Sequence, residues 1–153
     1  MGGRGSGRPA SYSGRAKTAE SLPLDIRRLQ RAGALTPGRA FSWRWMASGR
    51  TRASIQIHAE PWQIELVYRY TCEGQPVELV RQVVLLESTP CTLGGSRPWF
   101  RCPTCSRRVA IIYGAGRLFG CRPCKSLAYA SQFEDGGDRA IRPVCRRFLG
   151  GVS

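Results

Sequence analysis

Residues 99–126 read WFRCPTCSRRVAIIYGAGRLFGCRPCKS, and this stretch decides the fold of the region around it. It contains two Cys-x-x-Cys pairs, Cys102 with Cys105 and Cys121 with Cys124, and fifteen residues separate the pairs. Each pair predicts a tight turn that points both sulfurs the same way and lets backbone N–H groups of the turn bond them. The intervening segment is long enough for a hairpin out and back, which would bring the two turns together.

The segment between the two pairs has the composition of a β-hairpin. Residues 107–113 (RRVAIIY) and 117–120 (RLFG) predict its strands, and Gly114-Ala115-Gly116 predicts its turn. The hairpin would place four thiolates around one tetrahedral ion and leave no position for water or substrate. Closed four-cysteine sites of this kind are structural zinc sites. We therefore predict one structural Zn²⁺ per chain.

This motif resembles the zinc-ribbon superfamily over about residues 99–126. The resemblance implies four metal ligands, which are Cys102, Cys105, Cys121 and Cys124. The chain differs from many ribbons in having Ser106 after the second cysteine, where they have glycine. Its hairpin tip also lacks the acidic residues of ribbons that assist transcript cleavage. Ribbons occur in transcription factors, polymerase subunits, ribosomal proteins, transposases and partner-binding modules, so the resemblance fixes no function.

Several stretches outside the ribbon carry a second resemblance: DIRRLQRAGALTPG, GGSRPWFRCP, RRVAIIYGAGRLFGCRPC, and LAYASQ followed by DRA. Over about residues 21–142 the chain resembles a family of short uncharacterised bacterial proteins, often carried on prophage-like or mobile regions. This resemblance implies that a β body and the ribbon form one unit, and it implies no activity. After Arg142 the chain departs from the family, because Pro143 interrupts a basic helix.

Upstream of the ribbon, the hydrophobic period changes to two at Phe41. Four runs follow, FSWRWM, SIQIH, WQIELVYRY and PVELVRQVVLLES, separated by Gly- or Pro-containing breaks. They predict a four-stranded antiparallel meander with one buried face. The fourth run is apolar on both faces toward its end, which is typical of a central or a doubly covered strand. The aromatic residues of these runs alternate in phase with isoleucine and leucine, which favours a core over a base-stacking surface: Trp43, Trp45, Trp62, Tyr68 and Tyr70.

The two ends of the chain are basic. Residues 1–20 are rich in Gly, Ser and Arg and predict a disordered tail. A short helix is predicted next, with Ser21 as N-cap, Pro23 near the first position, Asp25 in the first turn and Gly33 at its end. Residues 133–153 predict a basic amphipathic helix, because apolar residues recur at helical spacing from Ile141 to Leu149.

The predicted fold class is therefore mainly β: a short N-terminal helix, a four-stranded antiparallel meander, a C-terminal zinc ribbon and a short basic helix. We divide the chain into a tail (1–20), a helix with an antiparallel β body (21–98), the zinc ribbon (99–132) and the basic helix (133–153).

Composition limits the function. Hydrophobic residues make up 42% of the 153 residues, which is typical of a globular protein. The longest apolar runs are too short to cross a membrane, and no secretory signal follows the N-terminal arginines. We therefore expect a cytoplasmic, reduced protein that does not bind membranes, in which Cys72, Cys91 and Cys145 are thiols that no metal needs.

The charge distribution predicts a polyanionic partner. The net charge of +14 divides into +6 for residues 1–39, +1 for 40–98 and +7 for 99–153. Nucleic acid, either DNA or RNA, is the first such partner, bound mainly through phosphates. The predicted contacts are arginines in and after the ribbon, namely Arg101, Arg107, Arg108, Arg117, Arg122, Arg142, Arg146 and Arg147.

Residues for catalysis are few. His58 is the one histidine, and no partner or cleft can be assigned to it. Glu60, Glu65 and Glu78 could gather as a metal-dependent nuclease site, but their spacing does not support this. We predict no enzyme and no small-molecule substrate. Two hypotheses remain: a nucleic-acid-binding accessory or regulatory factor, and a protein-interaction module whose ribbon docks a polymerase, a recombinase or a phage component.

Overall fold

A computed structural model describes Thr18, residues 21–127 and the backbone of residues 147–149. The chain is mainly β, as predicted. Its elements are β1 (Leu22–Asp25), α1 (Ile26–Arg31), β2 (Ala40–Ala47), β3 (Arg50–Ala59), β4 (Gln63–Thr71), β5 (Glu78–Pro90), β6 (Ser96–Arg101), β7 (Arg108–Val109), β8 (Ile111–Gly114), β9 (Phe119–Gly120) and β10 (Arg147–Leu149). Across the described residues, no helix has the length and apolarity that a membrane span requires.

The larger sheet is antiparallel and contains β2, β3, β4, β5, β6 and β7 in chain order. The four predicted runs correspond to β2–β5, but the sheet continues into β6 and β7, so the predicted strand count is too low. Strand β5 spans thirteen residues and curls the sheet. Residues 78–85 of β5 pair with β4, whereas residues 86–90 pair with β6.

One face of this sheet is buried, as the alternation predicts. Fully buried side chains point inward from β3, β4 and β5: Ile55, Ile57, Ile64, Leu66, Tyr68 and Val84. Trp62 contradicts the prediction, because its side chain is 78% exposed. Trp62 has the same alternation as the inward-facing residues of β4. However, β4 begins at Gln63, so Trp62 lies outside the strand and its side chain is not placed on the buried face.

The opposite face of β5 is open. Leu79, Val83 and Leu85 alternate along the strand with exposed fractions of 49%, 48% and 53%. Strand β5 is central in its sheet, between β4 and β6, which agrees with one of the two expectations. The other expectation, a strand covered on both faces, is wrong for the described part of the chain. Apolar residues on both faces of a strand allow both faces to be buried, but burial also requires a second layer of protein to pack on the outer face.

The N-terminal helix begins later than predicted. Residues 22–25 form β1, and α1 follows with Asp25 as its N-cap, where the Asp25 carboxylate accepts a hydrogen bond from the Arg27 N–H. Pairing of β1 with β8 overrides the local capping signals at Ser21 and Pro23. The end is at the predicted place: Gly33 adopts a φ of +69°, and its N–H donates to the Gln30 carbonyl.

A smaller sheet with the order β1-β8-β9 packs against the larger one. The predicted strand 107–113 is split at Ala110, because β7 pairs with β6 whereas β8 pairs with β1 and β9. At the split, the Ala110 carbonyl accepts a hydrogen bond of 3.0 Å from the Ile26 N–H. Each of the two sheets thus contains strands of the β body and strands of the ribbon.

Phe119 joins the two sheets. Its ring is fully buried, stacks on Trp45 at 6.2 Å between centroids, and meets the edge of Tyr68 at 5.5 Å. The Gln82 side chain bonds the Phe119 backbone as a neighbouring strand would. Gln82 Oε1 accepts a hydrogen bond from the Phe119 N–H at 2.8 Å, and Gln82 Nε2 donates one to the Phe119 carbonyl at 2.9 Å. A buried side-chain amide therefore satisfies both backbone groups of β9 at this residue.

Two further contacts hold the smaller sheet. The Trp45 indole N–H donates to the Pro23 carbonyl at 2.7 Å, and the Tyr68 hydroxyl donates to the Arg117 carbonyl at 2.7 Å. Burial raises the pKa of Tyr68, so the hydroxyl keeps the proton that it donates.

The C-terminal helix prediction is wrong where the structure describes it. Residues 147–149 form β10, which pairs with Arg69–Thr71 of β4. Strand β3 pairs with β4 only at residues 64–67 of β4. Strand β10 pairs with the same edge of β4 further along, at residues 69–71. The rest of the predicted helix and the predicted tail, Thr18 apart, lie outside the described residues.

The Gln82 contacts generate a first prediction. Gln82→Leu keeps the volume but removes both bonds to Phe119 and leaves a buried N–H and a buried carbonyl without partners. At about 1–3 kcal/mol for each unsatisfied group, we expect a loss of about 2–6 kcal/mol in the free energy of unfolding, measured by urea denaturation. Gln56→Leu in β3 is the control, expected within about 0.5 kcal/mol of the parent. Equal effects of the two substitutions would contradict the role of Gln82.

Candidate metal centre

The first cysteine pair lies in a turn, the first knuckle (residues 102–107), that connects β6 to β7. The pairing of Arg101 with Arg108 closes it, and the Cys102 N–H donates to the Arg107 carbonyl at 2.9 Å. The Ser106 N–H returns to the Cys102 carbonyl at 2.8 Å. Ser106 adopts a φ of +59°, so the serine takes the left-handed conformation for which many ribbons have glycine.

The second pair lies in the second knuckle (residues 121–127), which follows β9 directly. The Lys125 N–H donates to the Cys121 carbonyl and the Leu127 N–H to the Arg122 carbonyl, each at 3.1 Å. The two knuckles also contact each other, because the Cys121 N–H lies 3.3 Å from the Cys102 sulfur and donates to it. Backbone hydrogen bonds therefore fix both turns and their relative position.

The four sulfurs converge. The ligand atoms of Cys102, Cys105, Cys121 and Cys124 all lie within 4.8 Å of one another. The Sγ–Sγ distance is 3.6 Å between Cys105 and Cys121 and 4.0 Å between Cys102 and Cys124. Four sulfurs at ~2.3 Å from a tetrahedral ion would lie about 3.8 Å apart. The four predicted ligands thus lie at metal-binding distance, and the arrangement fits a metal ion and is compatible with a zinc ribbon.

The thiols perturb one another. Burial raises the pKa of Cys102, but the backbone N–H groups of Cys105, Cys121 and Thr104 outweigh it and lower the pKa to about 6. Hydrogen bonds with the Cys121 and Cys105 sulfurs raise the pKa of Cys124 to about 12. The Cys102 thiolate is thus stabilised, whereas the pKa of Cys121 and that of Cys124 are raised, and a cation between the sulfurs favours the ionised form of the cluster.

Lys125 is a residue of this region that the cysteine pattern did not single out. It is half-buried; burial lowers the pKa of its ammonium group, and the charges of Cys102 and Cys124 act in the opposite direction. The sequence contains a weak signal for it, because Lys17 and Lys125 are the only lysines among 24 basic residues.

The cysteines outside the centre divide into two kinds. Cys91 is a free, exposed thiol, as expected. Cys72 is disulfide-bonded, so the expectation that it is a free thiol is wrong. Sequence spacing did not indicate this, because a disulfide depends on which strand ends the fold brings together. Cys145 lies outside the described residues.

The predicted phosphate-binding arginines fall into several environments. Arg101 and Arg108 face each other across β6 and β7, and both bind the carboxylate of Glu87. Arg117 forms an ion pair with Glu78, and Arg122 donates to the Leu127 carbonyl at 3.3 Å. Arg107 is exposed on the first knuckle. Arg142 and Arg146 lie outside the described residues, and Arg147 begins β10.

The glutamates of the nuclease alternative have separate contacts. Glu60 accepts a hydrogen bond from Gln63, Glu65 pairs with Arg81 at 3.5 Å, and Glu78 pairs with Arg117. Within residues 21–127, the four cysteines are the one group of His, Cys, Asp or Glu side chains that could hold a metal.

Comparison with known proteins gives no relative: no protein-family model, no curated protein and no solved structure matches the chain. The resemblance to short bacterial proteins of mobile regions therefore stays a prediction from the sequence.

The geometry of the centre generates a second prediction. Protein purified without oxygen should contain one metal ion per chain, and Cys102→Ser or Cys121→Ser should abolish binding because each removes a buried ligand. Metal content measured by mass spectrometry tests this, with Cys91→Ser as the control that keeps its metal. A metal-free parent protein, or loss of metal from Cys91→Ser, would contradict the assignment.

Proposed function

We propose that the ion is Zn²⁺, that its role is structural, and that the chain is a non-catalytic accessory or regulatory factor that binds nucleic acid mainly through phosphates. Four thiolates are a ligand set that zinc accepts, and they fill its tetrahedral coordination. The Cys102 and Cys121 sulfurs belong to buried residues whose turns are fixed by backbone hydrogen bonds. A closed site of this kind stabilises a fold and leaves no coordination position for a substrate.

The observation that carries nucleic-acid binding is a cationic cluster on the first knuckle. Arg101 and Arg108 are direct cross-strand partners, a like-charge arrangement that is unfavourable without an anion between them. Glu87 supplies that anion: Arg101 Nε lies 2.8 Å from Glu87 Oε2, and Arg108 binds Oε1. One carboxylate thus serves two guanidinium groups, and the pair keeps a net positive charge.

Phosphate can compete with these ion pairs. Arg101 and Arg108 are each 47% exposed at their side chains, and exposed ion pairs contribute only about 0–1 kcal/mol. Arg107 lies between them in sequence and has no acidic partner among the residues that the structure describes. The net charge of +14 attracts polyanions over a longer range, and four thiolates with one Zn²⁺ subtract only about two from it.

A third prediction follows for the salt dependence of binding. If about six arginines contact duplex phosphates, log K against log salt should have a slope near −5, from about 0.9 per contact. Fluorescence anisotropy of the zinc-loaded protein with duplex and single-stranded DNA and RNA measures it. The triple substitution Arg107→Gln, Arg108→Gln and Arg117→Gln should weaken binding to all sequences and reduce the slope by about three.

Two control variants sharpen this test. Arg44→Gln, Arg50→Gln and Arg69→Gln remove the same charge from exposed positions of β2, β3 and β4 and should affect binding less. Glu87→Gln acts in the opposite direction: it frees Arg101 and Arg108 for phosphate, so affinity should rise. A flat salt dependence, or equal losses from the two triple variants, would refute binding through the knuckle.

The second candidate is a protein-interaction role, and the open face of β5 is the observation that favours it. Leu79, Val83 and Leu85 are each about half exposed on one face of the strand. Contiguous apolar side chains on a surface mark interaction sites.

A fourth prediction tests this role. Val83→Ser with Leu85→Ser should abolish binding to a purified polymerase or recombinase, measured by analytical ultracentrifugation, because it removes the apolar contact and leaves the core unchanged. Ser88→Ala on the same strand is the control. This candidate would be contradicted if the parent protein bound no protein partner and the double variant instead lost affinity for nucleic acid.

A further inference from the structure

The side chain of Lys125 lies over Gly120. A Cβ atom built on Gly120 would be 3.1 Å from Lys125 Cε and 3.7 Å from Lys125 Cγ. The same point is 3.6 Å from the hydroxyl oxygen of Thr104. Thr104 belongs to the first knuckle and Lys125 to the second, so side chains of both knuckles lie close to Gly120 at the end of β9.

Gly120 gives the stem its space. Its φ lies outside the left-handed region, since glycines with positive φ are a separate set that includes Gly116 and excludes Gly120. The backbone at this position therefore accepts any residue. A glycine is needed here for its lack of a side chain, because a Cβ atom at this position would lie 3.1 Å from Lys125 Cε, which is closer than a Cβ ordinarily tolerates.

The geometry places the Lys125 side chain beside the metal ligands. Lys125 follows Cys124 in the chain, and its stem lies over Gly120, the residue before Cys121. Three nearby arginines bind other groups: Arg101 and Arg108 bind Glu87, and Arg122 donates to the Leu127 carbonyl. Four thiolates around a divalent ion keep a negative charge that the surroundings must offset.

We infer that Lys125 is a positioning residue of the metal centre, with its ammonium group offsetting the charge of the zinc–thiolate cluster and its stem packed over Gly120, where it fixes the start of the second knuckle. The inference rests on the proposed zinc site. A half-buried cation beside the cluster stabilises the fully ionised ligand set and lowers the nucleophilicity of the sulfurs toward electrophiles.

Lys125→Met isolates the charge, because methionine keeps an unbranched stem over Gly120 and removes the ammonium group. We expect zinc affinity, measured by competition with a chelator, to fall at least about tenfold, which is the effect typical of groups that surround metal ligands. Alkylation of the thiols by iodoacetamide in the zinc-loaded protein should become faster. Arg107→Gln removes one positive charge from the exposed side of the first knuckle and is the matched control, expected to change affinity by less than about twofold.

A double-substitution cycle tests the stem. Gly120→Ala should weaken zinc binding when Lys125 is present, because the new methyl group displaces the lysine stem. The same substitution should cost nothing in the Lys125→Ala chain, where no stem is left to displace. Equal costs in the two chains would overturn the assignment of the stem.

Co²⁺ binding separates the possible failures. The sulfur-to-cobalt absorption band reports four-sulfur coordination in each variant, so a variant that does not fold is recognised without reference to affinity. If the parent chain binds neither Zn²⁺ nor Co²⁺, the proposed metal site itself fails. If the parent and Lys125→Met form the same cobalt site and bind zinc equally well, the metal site stands and the role of Lys125 is refuted.

Discussion

Four sulfurs within 4.8 Å of one another constrain the structure more than any other feature. Thiolates at this spacing repel, so they ionise together most easily around a cation, and the lowered pKa of Cys102 beside the raised pKa of Cys124 expresses this conflict. A metal that resolves it fixes the two knuckles. The first knuckle sets where β7 begins beside β6 in the larger sheet, and the second follows the end of β9.

From the second knuckle the constraint passes into the core. Phe119 lies two residues before Cys121, and its ring contacts Trp45 and Tyr68 of the larger sheet. Gln82 holds the backbone of the same residue. Strand β1 adds a third strand to the hairpin of the centre, and its residues belong to the same apolar cluster as β3, β4 and β5. Body and knuckles therefore have one core.

Local patterns predicted those parts of the fold that local chemistry determines. The Cys-x-x-Cys spacing identified the four converging sulfurs, and alternation in β3, β4 and β5 identified the buried face. Three errors have a common cause. The start of α1, the exposure of Trp62 and strand β10 each depend on distant segments. Strand β8 pairs with residues 22–25 and makes them a strand, and residues 147–149 pair with β4 beyond its contact with β3. Within the described residues, the Trp62 side chain lies outside the buried face.

The candidate site divides in the same way. Its ligands could be read from spacing, because two tight turns and a hairpin are local structures. The pairing of Arg101 and Arg108 around Glu87, and the passage of Lys125 over Gly120, could not, because each depends on the register between strands that are distant in sequence. A sequence shows which charges are present, whereas the fold decides which of them meet.

The attachment of Phe119 to both the centre and the core has a consequence for the chain in a cell. Metal occupancy and folding become one equilibrium, since the strand that directly precedes Cys121 also supplies a central ring of the core. By mass action, each tenfold rise of the free metal ion above its dissociation constant would add about 1.4 kcal/mol to the stability of the folded chain. Proteases remove unfolded chains, so the amount of this protein would follow the supply of that metal.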